Sequence, residues 1–241
     1  MNDSVRLAKR LAEQIGCSRA EAERYIAGGW VSVDGKITEE AGARIAPAQI
    51  VALLPSATLE SDEPVTILLH KPVALAATAA LTPDQDCITP ATRAPDDHCQ
   101  INFLKRHARD LTLTNPLEDR ASGLIVLTQD WRIVRKLSTD GNRIEQEFVV
   151  EVSGTLGADG LQHLQQSSRW NGKAMTALKV SWQSEQRLRF AIKGAERGMV
   201  EHLCAQVGLQ ATAIKRIRIG RVSMGALPSA TWRYLMGYEK F

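Results

Sequence analysis

The chain has 241 residues, 44% of them apolar, a formal charge of +3 and a pI near 8.7. That length suits a medium domain plus a small one. No apolar run reaches the roughly 18 residues of a membrane span, and Asp3, Arg6, Lys9 and Arg10 make the start too polar for a secretory signal, so a cytoplasmic protein is expected.

Cys17, Cys87, Cys99 and Cys204 are scattered, with no C-x-x-C pair and no His at zinc spacing, so neither a metal site nor a disulfide framework is expected. The charge is uneven. From Lys193 to Phe241 eight Lys/Arg stand against three acids, so any footprint for a polyanion is concentrated there.

In chain order, Asp3-Ser4 offers a cap for a helix over Val5 to Ile15, with Leu7, Leu11 and Ile15 on one face. Ser18-Arg19-Ala20-Glu21 reads as a capping box that opens a second helix, stopped by Gly28-Gly29. Trp30 to Val33 and Lys36 to Thr38 flank Asp34-Gly35 as a hairpin. Residues 55 to 64 break all periodicity, which predicts domains at 1–60 and 63–241.

The second region opens with an apolar strand from Val65 to His70, and residues 82 to 100 read as a loop. Further strands are predicted at Leu124 to Leu127, Phe148 to Val152, Leu178 to Trp182, Leu188 to Ile192 and Lys215 to Ile219, with helices at Trp131 to Leu137 and about 198 to 207. Strands outnumber helices. The fold class is therefore α+β: a small helix-helix-hairpin domain plus a larger one with a mainly antiparallel mixed sheet.

The stretch RLAKRLAEQIGCSRAEAERYIAGGWVSVDGKI, residues 6 to 37, resembles the alpha-L RNA-binding domain. The resemblance implies RNA-phosphate contacts through Arg6, Lys9, Arg10, Arg19, Arg24 and Lys36. As residues alone, the same charges read equally well as a solvated helix face, because residues 1 to 55 hold seven basic and seven acidic side chains. Contacts of this kind depend on salt and ignore sequence.

Three more stretches, ILLHKP at 67 to 72, LEDRASGLIVLTQD at 117 to 130 and IKRIRIGRVSMGALPSATWRYL at 214 to 235, resemble the catalytic domain of bacterial ribosomal-RNA pseudouridine synthases. The resemblance implies isomerisation of uridine without metal or organic cofactor, ribosomal RNA as partner with transfer RNA left open, and a monomer. Lys71, Lys215, Arg216 and Arg218 join the implied RNA-binding set. The alternating strand at 214 to 219 reads alternatively as a charged edge protected against aggregation.

The chemistry implied is extrusion of a base into a pocket, where a carboxylate acts at the sugar as nucleophile or base. The family pattern G-R-L-D-x-D-[ST]-x-G-L, counted back from Gly123-Leu124, places Glu118 at the carboxylate position and Pro116 where the family has Arg. Asp119 is the alternative carboxylate after a one-residue shift. Without the resemblance, Glu118 and Asp119 read as an acidic turn.

The family's K-x-Y becomes Gln146-Glu147-Phe148, so Phe148 keeps a ring face for stacking but has no hydroxyl; it reads equally as a core aromatic. The family's R-Q-[IV]-R-R-M becomes Gly198-Met199-Val200-Glu201-His202-Leu203, losing cations that Arg197 compensates from the preceding turn. Three readings emerge: an active synthase, a catalytically silent RNA-binding relative in ribosome assembly or regulation, and an RNA-binding module fused to a protein-contacting core.

Overall fold

The computed structural model describes residues 4–55, 57–59, 63–73, 75–81, 87–167, 169–175 and 178–241. The chain forms two compact units, residues 1–64 with 101–109, and residues 65–100 with 110–241. None of the helices among the described residues is long and apolar enough to cross a membrane.

In the first unit, strand β1 (Val5–Arg6) pairs antiparallel with β4 (Arg44–Ile45), and helix α1 (Leu7–Ile15) comes directly after β1. The helix thus starts two residues later than its sequence suggests. Val5 and Arg6 are drawn into an extended pairing with a distant segment, Arg6 stands at the N-cap without a side-chain bond, and the expected cap Asp3 lies outside the described residues. Leu7, Ala8 and Leu11 bury against Ala22 and Ile26 of α2 (Arg19–Ala27).

The capping box opening α2 forms as read: Glu21 N–H donates to Ser18 Oγ at 3.2 Å, and Ser18 N–H donates to the Glu21 carboxylate at 2.8 Å. Those bonds hold the Glu21 pKa down. Strands β2 (Val31–Val33) and β3 (Lys36–Ile37) make the hairpin, whose turn residues Asp34 and Gly35 have φ of 51° and 79°. The other edge of β2 carries β5 (Val51–Leu53), a pairing that local pattern did not announce.

Residues 101–109 belong to this unit through tertiary contact. A Cβ on Gly29, whose φ is 69°, would lie 2.3 Å from a Leu104 methyl, so a side chain there would force that leucine to shift, and Lys105 N–H donates to the Glu39 carboxylate at 2.8 Å. Residues 82–86 of the expected loop, and 56 and 60–62 of the expected boundary, lie outside the described residues.

The second unit is built on β6 (Thr66–Lys71), β7 (Thr112–Thr114), β8 (Ser122–Thr128) and β9 (Glu145–Ser153), with a small hairpin of β10 (Arg169–Trp170) and β11 (Lys173–Ala174). It continues through β12 (Leu178–Ser184), β13 (Arg187–Lys193), β14 (Gln210–Ile219), β15 (Val222–Ser223) and β16 (Trp232–Tyr234). The sheet runs β12-β13-β9-β14-β8-β6-β16, with β15 on β14 and β7 on β8. Its neighbours pair antiparallel except β14 with β8, which makes the sheet mixed but mainly antiparallel, as the sequence predicts. Helices α3 (Trp131–Thr139), α4 (Gly160–Ser167) and α5 (Met199–Gln206) connect the strands. Leu68, Leu124, Val126, Leu137, Ile219 and Val222 form a common core.

The parallel junction fixes the position of the acidic loop at 115–121. Gly123 of β8 lies opposite Arg216 of β14, and a Cβ there would fall 2.2 Å from the Arg216 carbonyl oxygen at a φ of 111°. Backbone thus touches backbone, and the loop that precedes β8 is pressed against β14.

Candidate active site

The segment before β8 carries Glu118 and Asp119, and two buried cations hold it in place. Lys71, fully buried at the end of β6, donates from Nζ to the carbonyls of Pro72 and Asp119 at 3.1 Å and of Ala121 at 2.6 Å. Burial drives its pKa down, while the nearby Asp119 and Glu118 charges oppose that shift.

Arg216, 2% exposed, donates from Nε to the Leu124 carbonyl at 2.8 Å, from Nη1 to Gln146 Oε1 at 2.9 Å and from Nη2 to the Asn115 carbonyl at 2.6 Å. Burial lowers its pKa to about 9, with the Glu118 charge pulling the other way. At neutral pH it stays a cation. Asn115, which begins the loop, takes the left-handed conformation at φ 48°, and its Nδ2 is buried without a partner among the described residues.

These contacts correct the RNA-binding assignment of Lys71 and Arg216. A phosphate cannot reach an ammonium already engaged by three carbonyls, nor a guanidinium enclosed by β8, β9 and the Asn115 turn. Both are framework for the acidic loop. Arg218 differs for a backbone reason: a register shift between Arg216 and Arg218 puts Arg216 opposite Phe148 and Arg218 opposite Glu147, so the two arginines point to opposite faces. Arg218 donates to Glu145 at 2.5 Å and Glu147 at 2.8 Å and also reaches the Gly220 carbonyl, so its charge is largely neutralised. Lys215, partly buried, carries no ion pair among the described residues.

Glu118 projects into a cavity of about 240 Å³ that is also lined by Pro116, Gln146, Phe148, Arg197 and Arg216. Its Oε1 accepts a hydrogen bond from the Gly198 N–H, where α5 begins, so the positive end of that helix faces the carboxylate. Phe148 is 4% exposed and is at once a core strand residue and a wall of the cavity. The alternation of β9 explains this, since Gln146, Phe148, Val150 and Val152 are all buried while the residues between them are not.

Asp119 is exposed and lines a different cavity, so the two neighbouring acids are separated by the geometry. Gln146, Gly198 and Asn115 were given no role from sequence. Period-two spacing from Phe148 is the signal that could have found Gln146, but nothing local marks the Gly198 amide, which meets Glu118 only through folding.

In the first unit Arg6, Lys9, Arg19, Arg24 and Lys36 are exposed and Arg10 is partly so. Arg6, Lys9 and Arg10 share a side at spacings of three and four. Lys9 lies 3.9 Å from Glu13, Arg19 lies 3.0 Å from Glu23, and Arg24 donates to the Leu59 carbonyl at 2.6 Å. Exposed pairs of this kind are worth roughly 0–1 kcal/mol and are easily exchanged for another anion.

No protein-family model matches the chain. The dual-specificity RNA pseudouridine synthase RluF of Escherichia coli (strain K12) is 26% identical over 240 residues, which cover 99% of this chain and 78% of that protein. The ribosomal small subunit pseudouridine synthase A of the same strain is 26% identical over 227 residues, 92% of each chain. Among solved structures, a pseudouridylate synthase has a TM-score of 0.58 at 18% identity, covering 97% of this chain and 96% of that one, which shows a shared fold. Over nearly its full length the chain is thus similar in sequence to RNA pseudouridine synthases, and it shares the fold of a solved one.

Proposed function

We propose that the protein binds RNA and receives an extruded uridine in the Glu118 cavity, isomerising it to pseudouridine at a rate well below that of a site with aspartate at this position. The observation that carries this reading is the placement of Glu118: a carboxylate on the wall of a cavity floored by an aromatic ring, at the sequence position where the resemblance implies the reacting acid. The cavity volume of about 240 Å³ lies below the roughly 300–1,000 Å³ of pockets for drug-sized ligands, which suits a single flipped base. Phe148 offers a ring face for that base.

The Gly198 N–H donates to Glu118 and the Arg216 cation lines the same cavity, a setting that suits a nucleophile or base acting at a ribose carbon. The slow rate comes from the extra methylene of Glu relative to Asp: misplacing a reacting atom by about 1 Å can cost a hundredfold. The missing hydroxyl at Phe148 removes a proton-transfer group as well. The name of one similar protein, the ribosomal small subunit pseudouridine synthase A, supports ribosomal RNA as the substrate.

A second reading, RNA binding without turnover, is favoured by the bond from the Gly198 amide, which ties up one of the two carboxylate oxygens of Glu118. The test is to incubate the protein with ribosomal RNA lacking these modifications and map pseudouridines. New modification that disappears in Glu118→Ala supports the isomerase. Saturable, salt-dependent binding with no product selects the silent binder, and no binding at all rejects both.

A further inference from the structure

A second cavity of about 630 Å³ adjoins the first in the same unit, and Pro116 and Arg197 line both. Glu118 faces one and Asp119 the other, so two consecutive residues mark two compartments with a shared wall. Arg197 on that wall is exposed and has no ion pair among the described residues. We propose that the second cavity holds the nucleotide next to the extruded uridine, with Arg197 on the phosphodiester that joins the two. This rests on the uridine reading of the Glu118 cavity and extends it to the RNA strand.

The support comes from the covalent geometry of RNA. Consecutive nucleosides are joined by one charged phosphodiester, so a strand that places neighbours in adjoining compartments must carry that charge across the wall between them. The wall presents a guanidinium there, the side chain best suited to phosphate. Pro116 has no N–H and adds an apolar ledge on which a sugar or base can pack.

Inside the second cavity the chemistry changes. Asp119 is acceptor-only when ionised and repels phosphate, whereas Thr78, Thr112 and Leu113 suit a neutral, partly apolar group with hydrogen-bond donors. A nucleoside fits that description through its ribose hydroxyl or a base amine. The volume falls within the roughly 300–1,000 Å³ typical of small-molecule sites.

The test uses the full chain and NMR of methyl groups in the two cavities, Val200 for the first and Leu113 for the second. Uridine, which carries no phosphate, should perturb Val200. Ribodinucleotides with a neighbour on the 5′ or the 3′ side of uridine should, in one of the two orders, perturb both methyls and bind about tenfold tighter. Arg197→Ala should abolish that advantage. So should Thr112→Trp, which fills the second cavity from an exposed position. If the dinucleotides bind no tighter than uridine while Val200 still responds, or if the advantage survives Arg197→Ala, the second subsite is wrong and the uridine pocket stands. If neither ligand moves Val200, the uridine reading falls and the neighbour subsite with it.

Discussion

The two units use their cations in opposite ways. In the first, Arg6, Lys9, Arg19, Arg24 and Lys36 reach solvent from helix surfaces and a hairpin turn that local sequence determines. In the second, Lys71 and Arg216 turn inward and bind backbone carbonyls from segments 48 or more residues away, Asp119 and Ala121 for the lysine and Leu124 and Asn115 for the arginine. A basic residue in a sequence therefore carries two distinct meanings. Outward it offers charge to a polyanion, and inward it organises a loop around a carboxylate.

The largest effect expected from this contrast is at Arg216. Arg216→Met leaves three buried acceptors, the carbonyls of Leu124 and Asn115 and Gln146 Oε1, without donors at about 1–3 kcal/mol each. Allowing for relaxation, about 3–5 kcal/mol should be lost in chemical denaturation. Lys71→Met should come next at about 2–4 kcal/mol, because its three carbonyls face the same deficit. Neither variant should alter the salt dependence of whatever RNA binding the first unit provides. A change in that slope at near-normal stability would show that these cations act outwardly and would dissolve the contrast.

The same contrast explains how much was legible. The capping box at Ser18, the Asp34-Gly35 turn and the strand from Phe148 to Val152 are local, so the pattern alone located them. The α+β class came from counting strands. The fate of Arg216 and Arg218 was hidden because strict alternation puts them on one face, and only the register shift between them sends one inward and the other to Glu145 and Glu147. Val5–Arg6 reads as helix until Arg44–Ile45 competes for it, and Gly29 reads as a helix stop until Leu104 occupies the space beside it. In each case the deciding partner is far away in sequence. At the candidate site, Glu118 was found from its distance to Gly123-Leu124, whereas the Gly198 amide that holds it lies 80 residues on.

A middle-sized effect should sharpen the comparison through pH. His107 of the first unit is buried and accepts a weak bond from the Leu104 N–H at Nδ1, 3.4 Å, which fixes it as the neutral tautomer, and burial lowers its pKa to about 4. The unfolded chain, with a histidine pKa near 6.5, binds a proton that the folded chain refuses between those values. Stability is thus fully present above pH 6.5, declines as pH falls toward 4 and levels off below, with a ceiling of roughly 3 kcal/mol. Hydrogen exchange at residues 101–109 between pH 7 and 4.5 should show progressive opening, and His107→Leu should flatten that profile. An unchanged profile in the variant would place the sensitivity elsewhere.

The smallest effect in stability, and the most telling for function, lies at the outward cations. Lys36 sits exposed in the hairpin with its ammonium in no ion pair among the described residues, so Lys36→Met should change unfolding free energy by no more than about 0.5 kcal/mol. If it meets a phosphate, each such contact contributes about 0.7 to 0.9 to the slope of log affinity against log salt, and the variant's slope should fall by that amount irrespective of RNA sequence. Pairing the variant with Arg6→Met should remove twice as much, because two exposed cations with no shared partner act independently. A loss confined to particular sequences would mean base reading instead of phosphate contact. A slope that stays the same through both substitutions would reduce the outward cations of the first unit to a solvated surface.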